Sequence, residues 1–290
     1  MKRTFYIVDV FAEDKYSGNQ LAVVTDTQGL SSDEMLQITR EMHFSETTFI
    51  CSDQQANGGF DVRIFTPGEE VPFAGHPTLG TAYVLSEVLG KMCTNEIRLN
   101  LGVGQIPVQR EGDQLWMTTQ PPVFGKTYPA RDLATLLNLQ EEDIDTRWPI
   151  EVVSTGLPFI MVPVKGLDAI KRARANTEVL KTIISDPQQT REILVFTQET
   201  HSPDCQLNVR VFVPLLGIPE DPATGSGNSC LAGYLSKHQV FGSSTVVIQV
   251  EQGMEIQRPS RLYLKAEQAE GQYQIQVGGK VQLIAQGTLY

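Results

Sequence analysis

Basic residues are scarce in this chain of 290 residues. Lys and Arg together number 23 against 34 Asp and Glu, so the formal net charge at pH 7 is −11. The one cluster of basic residues is "KRAR" at 171–174, which we interpret as an exposed helix or turn face. Because nucleic-acid-binding proteins usually carry a larger basic patch, we expect no nucleic-acid partner.

Cysteine is also rare, and the spacing of the cysteines matches no metal-binding motif and no disulfide framework. Cys51, Cys93, Cys205 and Cys230 lie far apart, and no CxxC motif occurs. In a chain of this size, such usage is typical of reduced thiols. We therefore predict a cytoplasmic protein.

Long hydrophobic runs are missing as well. The longest uncharged stretches, 71–86 and 222–236, contain Gly and Pro and are too short to span a bilayer. The apolar segment near the N-terminus is interrupted at Asp9, and no small-residue cleavage site follows, so we expect no signal peptide. The sequence thus predicts no membrane partner.

Several well-known site motifs do not occur. There is no HxxxH or HxH pair, no phosphate-binding GxxxxGK[ST] loop and no GxSxG, and "GVGQIP" at 102–107 does not complete GxGxxG. Ligand pairs of the first kind bring imidazoles to one metal ion, so their absence argues against a metal site. We expect none.

What the chain does contain is an internal repeat. "RIFTP" at 63–67 matches "RVFVP" at 210–214, and each is followed by a Gly-containing loop and then an apolar segment. Aligning Gly75 with Gly225 also pairs further apolar positions downstream. Two copies indicate a duplicated domain, because a solenoid needs three or more short repeats.

The apolar segments that follow the loops predict helices over 76–89 and 228–238. A helix that is apolar nearly all round is buried, and the flanking sequence is rich in strand patterns. We therefore predict an α+β protein of two pseudo-symmetric domains, each a barrel-like, mostly antiparallel sheet around a central buried helix. The expected domains are 1–115 and 130–279, with a strand near 280–290 pairing back into the first.

Three local patterns complete the prediction. "SSDEMLQITREM" begins with a capping box of Ser31 and Glu34 and predicts a helix. The segment 112–130 contains three prolines and is the candidate linker. Gly278 and Gly279 lie between alternating strands and predict a two-residue hairpin turn.

The start of each buried helix is a candidate binding site. Gly75 opens the first helix, and Gly225, Ser226 and Gly227 open the second. Free N–H groups and the helix dipole favour an anion there, and glycine allows close approach. Two such ends favour a small carboxylate-bearing substrate, whereas a single loop would favour a tight turn with nothing bound. Ser226 could cap its helix or touch the substrate.

His76 is the histidine whose position in the sequence indicates a chemical role. It sits at the start of the first helix, where the dipole lowers an imidazole pKa, so we expect a neutral ring near pH 7 that can donate or accept one proton. A structural histidine or an N-terminal cap is the alternative. His43, His201 and His238 have no such context and are expected to be structural.

Two carboxylates are further candidates. Asp221 precedes a proline, which is typical of an Asx-type turn; alternatively, it orients His76 or contacts an amine or hydroxyl of the substrate. Glu46 lies between a predicted helix and an apolar strand. If buried, it would suit general-base work, although an exposed edge residue is the simpler interpretation.

Four segments together resemble the PhzF-like family of phenazine biosynthesis: "YSGNQLAVV", "SETTFI", "RIFTPGEEVPFAGHPTLGTA" and "EDPATGSGNSCLAGYL". They occur in the family's order, from residue 5 to about 235. The resemblance implies a diaminopimelate-epimerase-like fold, no metal or organic cofactor, and commonly a homodimer.

The resemblance also implies roles for individual residues. Glu46 corresponds to a glutamate that moves a proton between ring carbons of dihydro-hydroxyanthranilate, giving an enol that becomes a ketone. His76, Asp221 and Ser226 correspond to the other acid–base and polar residues of the family's site. The loop glycines that open the two helices would present backbone N–H groups to the substrate carboxylate.

Related epimerases and racemases instead use a pair of cysteines, one before each helix. The matching positions here are Ala74 and Thr224, which cannot form thiolates, and Cys230 lies inside the second helix. We therefore predict a cofactor-independent isomerase that moves a proton within a small carboxylate-bearing molecule. An epimerase or racemase of an amino or hydroxy acid, and a non-catalytic small-molecule binding protein, remain alternatives.

Overall fold

The protein was analysed as a computed structural model that describes residues 2–91, 95–184, 192–216, 218–269 and 271–290. Cys93 lies outside the described residues. Contacts within the chain define two compact units. The first unit is Met1–Thr118 with Gly278–Tyr290, and the second unit is Thr119–Val277.

The described strands and helices follow one another in this order. The strands up to Thr118 are β1 (Arg3–Val10), β2 (Asn19–Val24), β3 (Thr47–Ile50), β4 (Gly59–Phe65), β5 (Glu70–Val71), β6 (Glu96–Leu101), β7 (Gly104–Glu111) and β8 (Gln114–Thr118). The strands that follow are β9 (Val123–Tyr128), β10 (Ile150–Ser154), β11 (Pro158–Pro163), β12 (Glu192–Thr197), β13 (Leu207–Val213), β14 (Ile218–Asp221), β15 (Val246–Gln252), β16 (Ser260–Ala269), β17 (Gln272–Gly279) and β18 (Val281–Leu289). The α-helices are α1 (Ser32–Met42), α2 (Gly75–Tyr83), α3 (Ala130–Leu136), α4 (Gly166–Arg172), α5 (Thr177–Ile183) and α6 (Gly225–Lys237).

The first unit is built around one central helix. β1 pairs antiparallel with β2 and with β18. β2 and β3 are parallel, β3 and β4 antiparallel, β4 and β6 parallel, and β6, β7 and β8 antiparallel in turn. Every residue of α2 from Gly75 to Ala82 is buried. A helix buried on all sides has no polar face, which is the property that its sequence predicts.

The second unit repeats this order of strand pairs. β10 and β11 are antiparallel, β11 and β12 parallel, β12 and β13 antiparallel, β13 and β15 parallel, and β15 and β16 antiparallel. Its central helix α6 is buried at every position except Ser226 and Lys237. The predicted α+β, pseudo-symmetric fold class is confirmed.

The register of the parallel strands is also equivalent in the two units. β4 and β6 pair Asp61 with Asn100, while β13 and β15 pair Asn208 with Glu251. In each pair, an amide donates to a carboxylate: Asn100 Nδ2 lies 2.8 Å from Asp61 Oδ1, and Asn208 Nδ2 lies 2.8 Å from Glu251 Oε1. Position-by-position comparison of the two units therefore has a structural basis.

The helix boundaries largely follow the sequence signals. α1 has Ser31 as N-cap and the complete capping box with Glu34, as predicted. α2 ends at Tyr83 and continues as a π-helical turn over Val84–Val88, before Gly90 with a φ of 63°. α6 begins at Gly225, three residues before the predicted start.

The candidate linker at 112–130 contains all of β8 and β9, and the boundary between the two units, after Thr118, lies within it. One local prediction is wrong. Gly278 and Gly279 are part of β17 and do not form a hairpin turn. A Cβ added at Gly278 would lie 2.4 Å from Cδ2 of Trp116, so packing of the indole ring accounts for this glycine.

Candidate active site

His76 is the second residue of α2 and is buried. Burial lowers the pKa of its imidazole to about 3, against which a hydrogen bond with the backbone of Gln20 acts weakly in the opposite direction. The ring is therefore neutral at pH 7, as the sequence predicts. The main cause is desolvation by burial, whereas the sequence predicts the helix dipole as the cause.

Each imidazole nitrogen of His76 faces a different neighbour. Nδ1 lies 3.3 Å from Nδ2 of Asn19, a buried residue at the start of β2. Nε2 lies 3.3 Å from Oε2 of Glu46 and makes no hydrogen bond with a described residue. Nδ1 thus faces β2, and Nε2 is the ring nitrogen that faces Glu46.

Glu46 immediately precedes β3, and its side chain is only 16% exposed. The interpretation of an exposed edge residue is therefore wrong. A buried hydrogen bond of 2.8 Å between the hydroxyls of Thr48 and Thr81 connects β3 to α2. This bond connects the strand that follows Glu46 to the helix that carries His76. The first unit thus brings two of the predicted site residues, Glu46 and His76, to within 3.3 Å of each other.

Asp221 lies in the second unit, where it ends β14 and is buried. Its Oδ2 accepts a hydrogen bond of 2.5 Å from Oγ1 of Thr224, the residue that precedes α6. The side chain thus contacts a neighbour three residues along the chain. This arrangement positions the Asp221 carboxylate relative to the first turn of α6.

The residues that open α6 differ in their surroundings. Gly225 is the first helical residue, and the N-cap is Thr224, so Ser226 lies inside the first turn and is half-buried. The capping role predicted for Ser226 is therefore wrong. A Cβ at Gly227 would lie 3.1 Å from Cε1 of Phe159, so this ring packs closely against the glycine.

Gln252 was missed by the sequence reasoning. This buried residue at the end of β15 makes hydrogen bonds to the backbone and side chains around Asp221 and Thr224. Asn19 was also missed as a separate residue, although it lies in the quoted "YSGNQLAVV" segment. Gln252 carries no local signal, because nothing in "VIQVEQG" distinguishes it from an exposed strand residue.

The described cysteine thiols are poorly suited to act as bases. Burial raises the pKa of Cys51 and Cys205, and it raises the pKa of Cys230 to about 12. Because the thiolate is the reactive form, these residues are largely unreactive near neutral pH. Among the described residues, no group of three His, Cys, Asp or Glu is placed to hold a metal ion, and no helix is long and apolar enough to cross a membrane.

Comparison with known proteins gives one consistent family. Residues 8–287 match the PhzC-PhzF family model, described as phenazine biosynthesis-like protein. A trans-2,3-dihydro-3-hydroxyanthranilate isomerase of Pseudomonas aeruginosa is 31% identical, with 99% of each chain covered. An uncharacterized isomerase of Pasteurella multocida is 33% identical over 99% of this chain and 93% of its own.

Solved structures agree with this result. A PhzF-family phenazine biosynthesis protein of Bacillus anthracis superposes with a TM-score of 0.91 at 26% identity, covering 100% of this chain and 99% of its own. A predicted epimerase of P. aeruginosa gives a TM-score of 0.81 at 32% identity, with 99% of each chain covered. A hydroxyproline epimerase of Agrobacterium vitis, at 12% identity and a TM-score of 0.63 over 99% of this chain and 92% of its own, shares the fold.

Proposed function

This chain belongs to the phenazine biosynthesis-like (PhzC-PhzF) family and is an isomerase, and we propose that it moves a proton within a small carboxylate-bearing molecule by acid–base catalysis. The observation that carries this proposal is the 3.3 Å approach of Glu46 Oε2 to Nε2 of the neutral, buried His76. Proton transfer requires a base and a partner close to it, and these two atoms lie just beyond the range of an ordinary hydrogen bond.

In the proposed reaction, the Glu46 carboxylate removes a proton from one carbon of the substrate. The electron pair of the broken C–H bond enters the substrate's conjugated system, and Glu46 returns the proton to a second carbon on the same face. His76, being neutral, leaves the carboxylate basic, because an adjacent cation would favour its ionised form and weaken its hold on a proton. The imidazole can exchange a proton with Glu46 during this cycle.

The remaining predicted residues would bind the substrate. The N–H groups of Gly75 and Gly225, at the starts of α2 and α6, are donors without intrahelical partners and suit a carboxylate. In the second unit, we propose that Asp221 accepts a hydrogen bond from a substrate amine or hydroxyl, and that Ser226 and Gly227 contribute to substrate binding with Gly225. We propose no cofactor, because Glu46 and His76 suffice for proton transfer.

Trans-2,3-dihydro-3-hydroxyanthranilate is the first substrate to test, since several relatives are named as isomerases of this compound. Proton NMR in D2O would follow its conversion by the wild-type protein and by Glu46→Gln. The control is Glu41→Gln, which removes the same charge from an exposed position in α1. We expect turnover by the wild type and by Glu41→Gln, and none by Glu46→Gln. Wild-type turnover that survives in Glu46→Gln would refute the role of Glu46.

An epimerase is the second candidate, favoured by the 32% identity to a predicted epimerase. Inversion by two thiols is disfavoured, because Ala74 and Thr224 occupy the positions before the helices. A screen of amino and hydroxy acids in D2O would test this function. Deuterium at a stereocentre with inversion would support an epimerase, whereas tight binding of a carboxylate without any exchange would indicate a binding protein.

The assembly and location of the protein are further proposals. We propose a homodimer in the cytoplasm, on the basis of the family resemblance and the reduced cysteines. Light scattering coupled to size-exclusion chromatography should give twice the chain mass of 32.1 kDa. A mass equal to one chain would refute the dimer.

A further inference from the structure

We propose that Gln252 is a positioning residue that holds the Asp221 carboxylate and the first turn of α6 in their working geometry, an inference that rests on the proposed function of Asp221 and Gly225. Gln252 does not need to touch the substrate. It acts through Thr224 and through the backbone of the loop that joins β14 to α6.

The side-chain amide of Gln252 is fully buried and uses both of its ends. Nε2 donates to the backbone carbonyl of Asp221 at 2.8 Å and to Oγ1 of Thr224 at 3.0 Å. Oε1 accepts from the backbone N–H of Thr224 at 3.2 Å and from Nδ2 of Asn228 at 2.9 Å. One side chain thus connects the end of a strand, the N-cap residue and the first turn of the helix.

Thr224 connects Gln252 to the carboxylate of Asp221 through two hydrogen bonds. Its Oγ1 accepts from Gln252 and donates to Oδ2 of Asp221, so the hydroxyl proton has a defined direction. A hydroxyl that must accept on one side can offer its single proton only on the other. The Gln252–Thr224–Asp221 chain therefore orients the carboxylate, and not merely the loop.

The first unit shows that the fold itself does not require this network. Leu101 follows Asn100 in β6 as Gln252 follows Glu251 in β15, so it occupies the equivalent position. Val71 pairs with β4 as Asp221 pairs with β13, and Ala74 is the N-cap of α2 as Thr224 is of α6. All three residues of the first unit are buried or half-buried, and α2 is as deeply buried as α6.

One polar contact is common to both units: a helix side chain donates a hydrogen bond to the carbonyl of the N-cap residue. We therefore attribute this contact to the fold. Thr78 Oγ1 donates to the carbonyl of Ala74 at 2.7 Å, and Asn228 Nδ2 donates to the equivalent carbonyl of Thr224 at 3.0 Å. The helix start is thus held alike in both units. The additional bonds of Gln252 are restricted to the unit that carries Asp221, which is why we assign them to the site.

The test combines two variants with matched partners. Gln252→Leu introduces the residue found in the first unit, and Gln249→Leu makes the same change on the same strand, away from Asp221. Thr224→Val removes the hydroxyl, whereas Thr224→Ser retains it and serves as the conservative rescue. Turnover of trans-2,3-dihydro-3-hydroxyanthranilate gives kcat and KM. Amide hydrogen exchange of 221–228 and the melting temperature report on structure without requiring activity.

Because misplacing a catalytic group by about 1 Å costs on the order of 100-fold in rate, we expect kcat to fall about 10- to 100-fold in Gln252→Leu and Thr224→Val. Gln249→Leu and Thr224→Ser should retain wild-type kcat. Exchange at 221–228 should increase in Gln252→Leu, whereas exchange in the first unit should not change. If Gln252→Leu does not fold, the Thr224→Val and Thr224→Ser pair decides the question.

Two results would overturn the proposal. The first is wild-type kcat in Gln252→Leu or in Thr224→Val. The second is a loss of kcat that Thr224→Ser shares with Thr224→Val, because a role in packing alone is then sufficient. If the wild-type protein does not convert this compound, the substrate assignment fails separately. Hydrogen exchange then decides the positioning role: faster exchange at 221–228 in Gln252→Leu supports it, and unchanged exchange refutes it.

Discussion

The guanidinium of Arg210 donates two hydrogen bonds to the carboxylate of Glu220, at 2.9 and 2.5 Å, and both side chains are buried. The first unit contains the equivalent pair, in which Arg63 Nε and Nη2 donate to Glu70 at 2.8 and 2.5 Å. Each guanidinium also lies over a nearby aromatic ring, Phe212 or Phe65. The duplication thus extends to individual side-chain contacts, but the two copies differ in exposure.

This difference predicts unequal effects on stability. Arg210 also donates to the carbonyls of Ile170 and Ala173 near the end of α4, so Arg210→Met removes these bonds and leaves the buried Glu220 carboxylate without its cation. Breaking a buried ion pair costs about 3–5 kcal/mol, whereas a largely exposed pair contributes up to about 1 kcal/mol. Urea unfolding should show a large loss of stability in Arg210→Met and a small one in Arg63→Met. Equal losses would contradict this account.

The hydrogen bond between Thr48 and Thr81 predicts a non-additive double-mutant cycle. Thr48→Val or Thr81→Val alone leaves one buried hydroxyl without a partner, which costs about 1–3 kcal/mol. The double variant removes both hydroxyls, so its loss of stability should be smaller than the sum of the single losses. Thermal or urea unfolding of the four proteins measures this coupling, and strict additivity would show that the hydrogen bond contributes nothing.

Burial of His76 predicts a specific pH dependence of stability. Its pKa is about 3 in the folded protein, against 6.5 for an ordinary imidazole. Between these values, the unfolded chain binds a proton at His76 that the folded protein does not bind, so acidification favours unfolding. The free energy of unfolding is therefore unaffected by this group above pH 6.5. It falls progressively toward pH 3, by up to about 1.4 kcal/mol for each pH unit.

His76→Gln should remove the part of the pH dependence of unfolding free energy that His76 causes. Urea unfolding between pH 7 and pH 4 would compare the slopes of unfolding free energy for the two proteins. We expect a shallower slope in the variant. Identical slopes would show that the His76 ring is already protonated in the folded protein over this range.

Cys230 predicts resistance to alkylation. Its thiol is fully buried in α6, and burial raises its pKa to about 12, so little thiolate is present at pH 8. Iodoacetamide should leave Cys230 unmodified in the folded protein, as measured by mass spectrometry of its peptides, and should leave the isomerase active. The unfolded protein is the control, in which Cys230 reacts. Inactivation that follows modification of Cys230 would indicate that this thiol takes part in the reaction.

Local patterns in the sequence were sufficient for the fold class. The apolar runs that follow Gly75 and Gly225 identify two buried helices, because a helix without a polar face can lie only inside a domain. The match of "RIFTP" with "RVFVP" identifies the duplication, and Ser31 with Glu34 marks the start of α1. These features depend on backbone periodicity and on neighbours a few residues apart, which a sequence displays directly.

The misread positions depend on contacts between distant residues. Gly278 has the appearance of a turn residue, yet it is a strand residue because the indole of Trp116 occupies the space of a side chain. Glycine at a turn and glycine under a ring look alike in sequence, since the distinction lies in what packs against them.

Candidate residues for chemistry could be named from the sequence, but their relationships could not. The spacing of 30 residues between Glu46 and His76 contains no information on distance; the pairing of β2 with β3 and the packing of α2 bring them to 3.3 Å. Gln252 reaches Asp221 because β15 runs parallel to β13, which is a property of strand register. The resemblance of four sequence segments to the PhzF-like family thus indicated the class of chemistry. Side-chain positions were decided by long-range pairing, because hydrogen bonds act over about 3 Å of space and not over sequence separation.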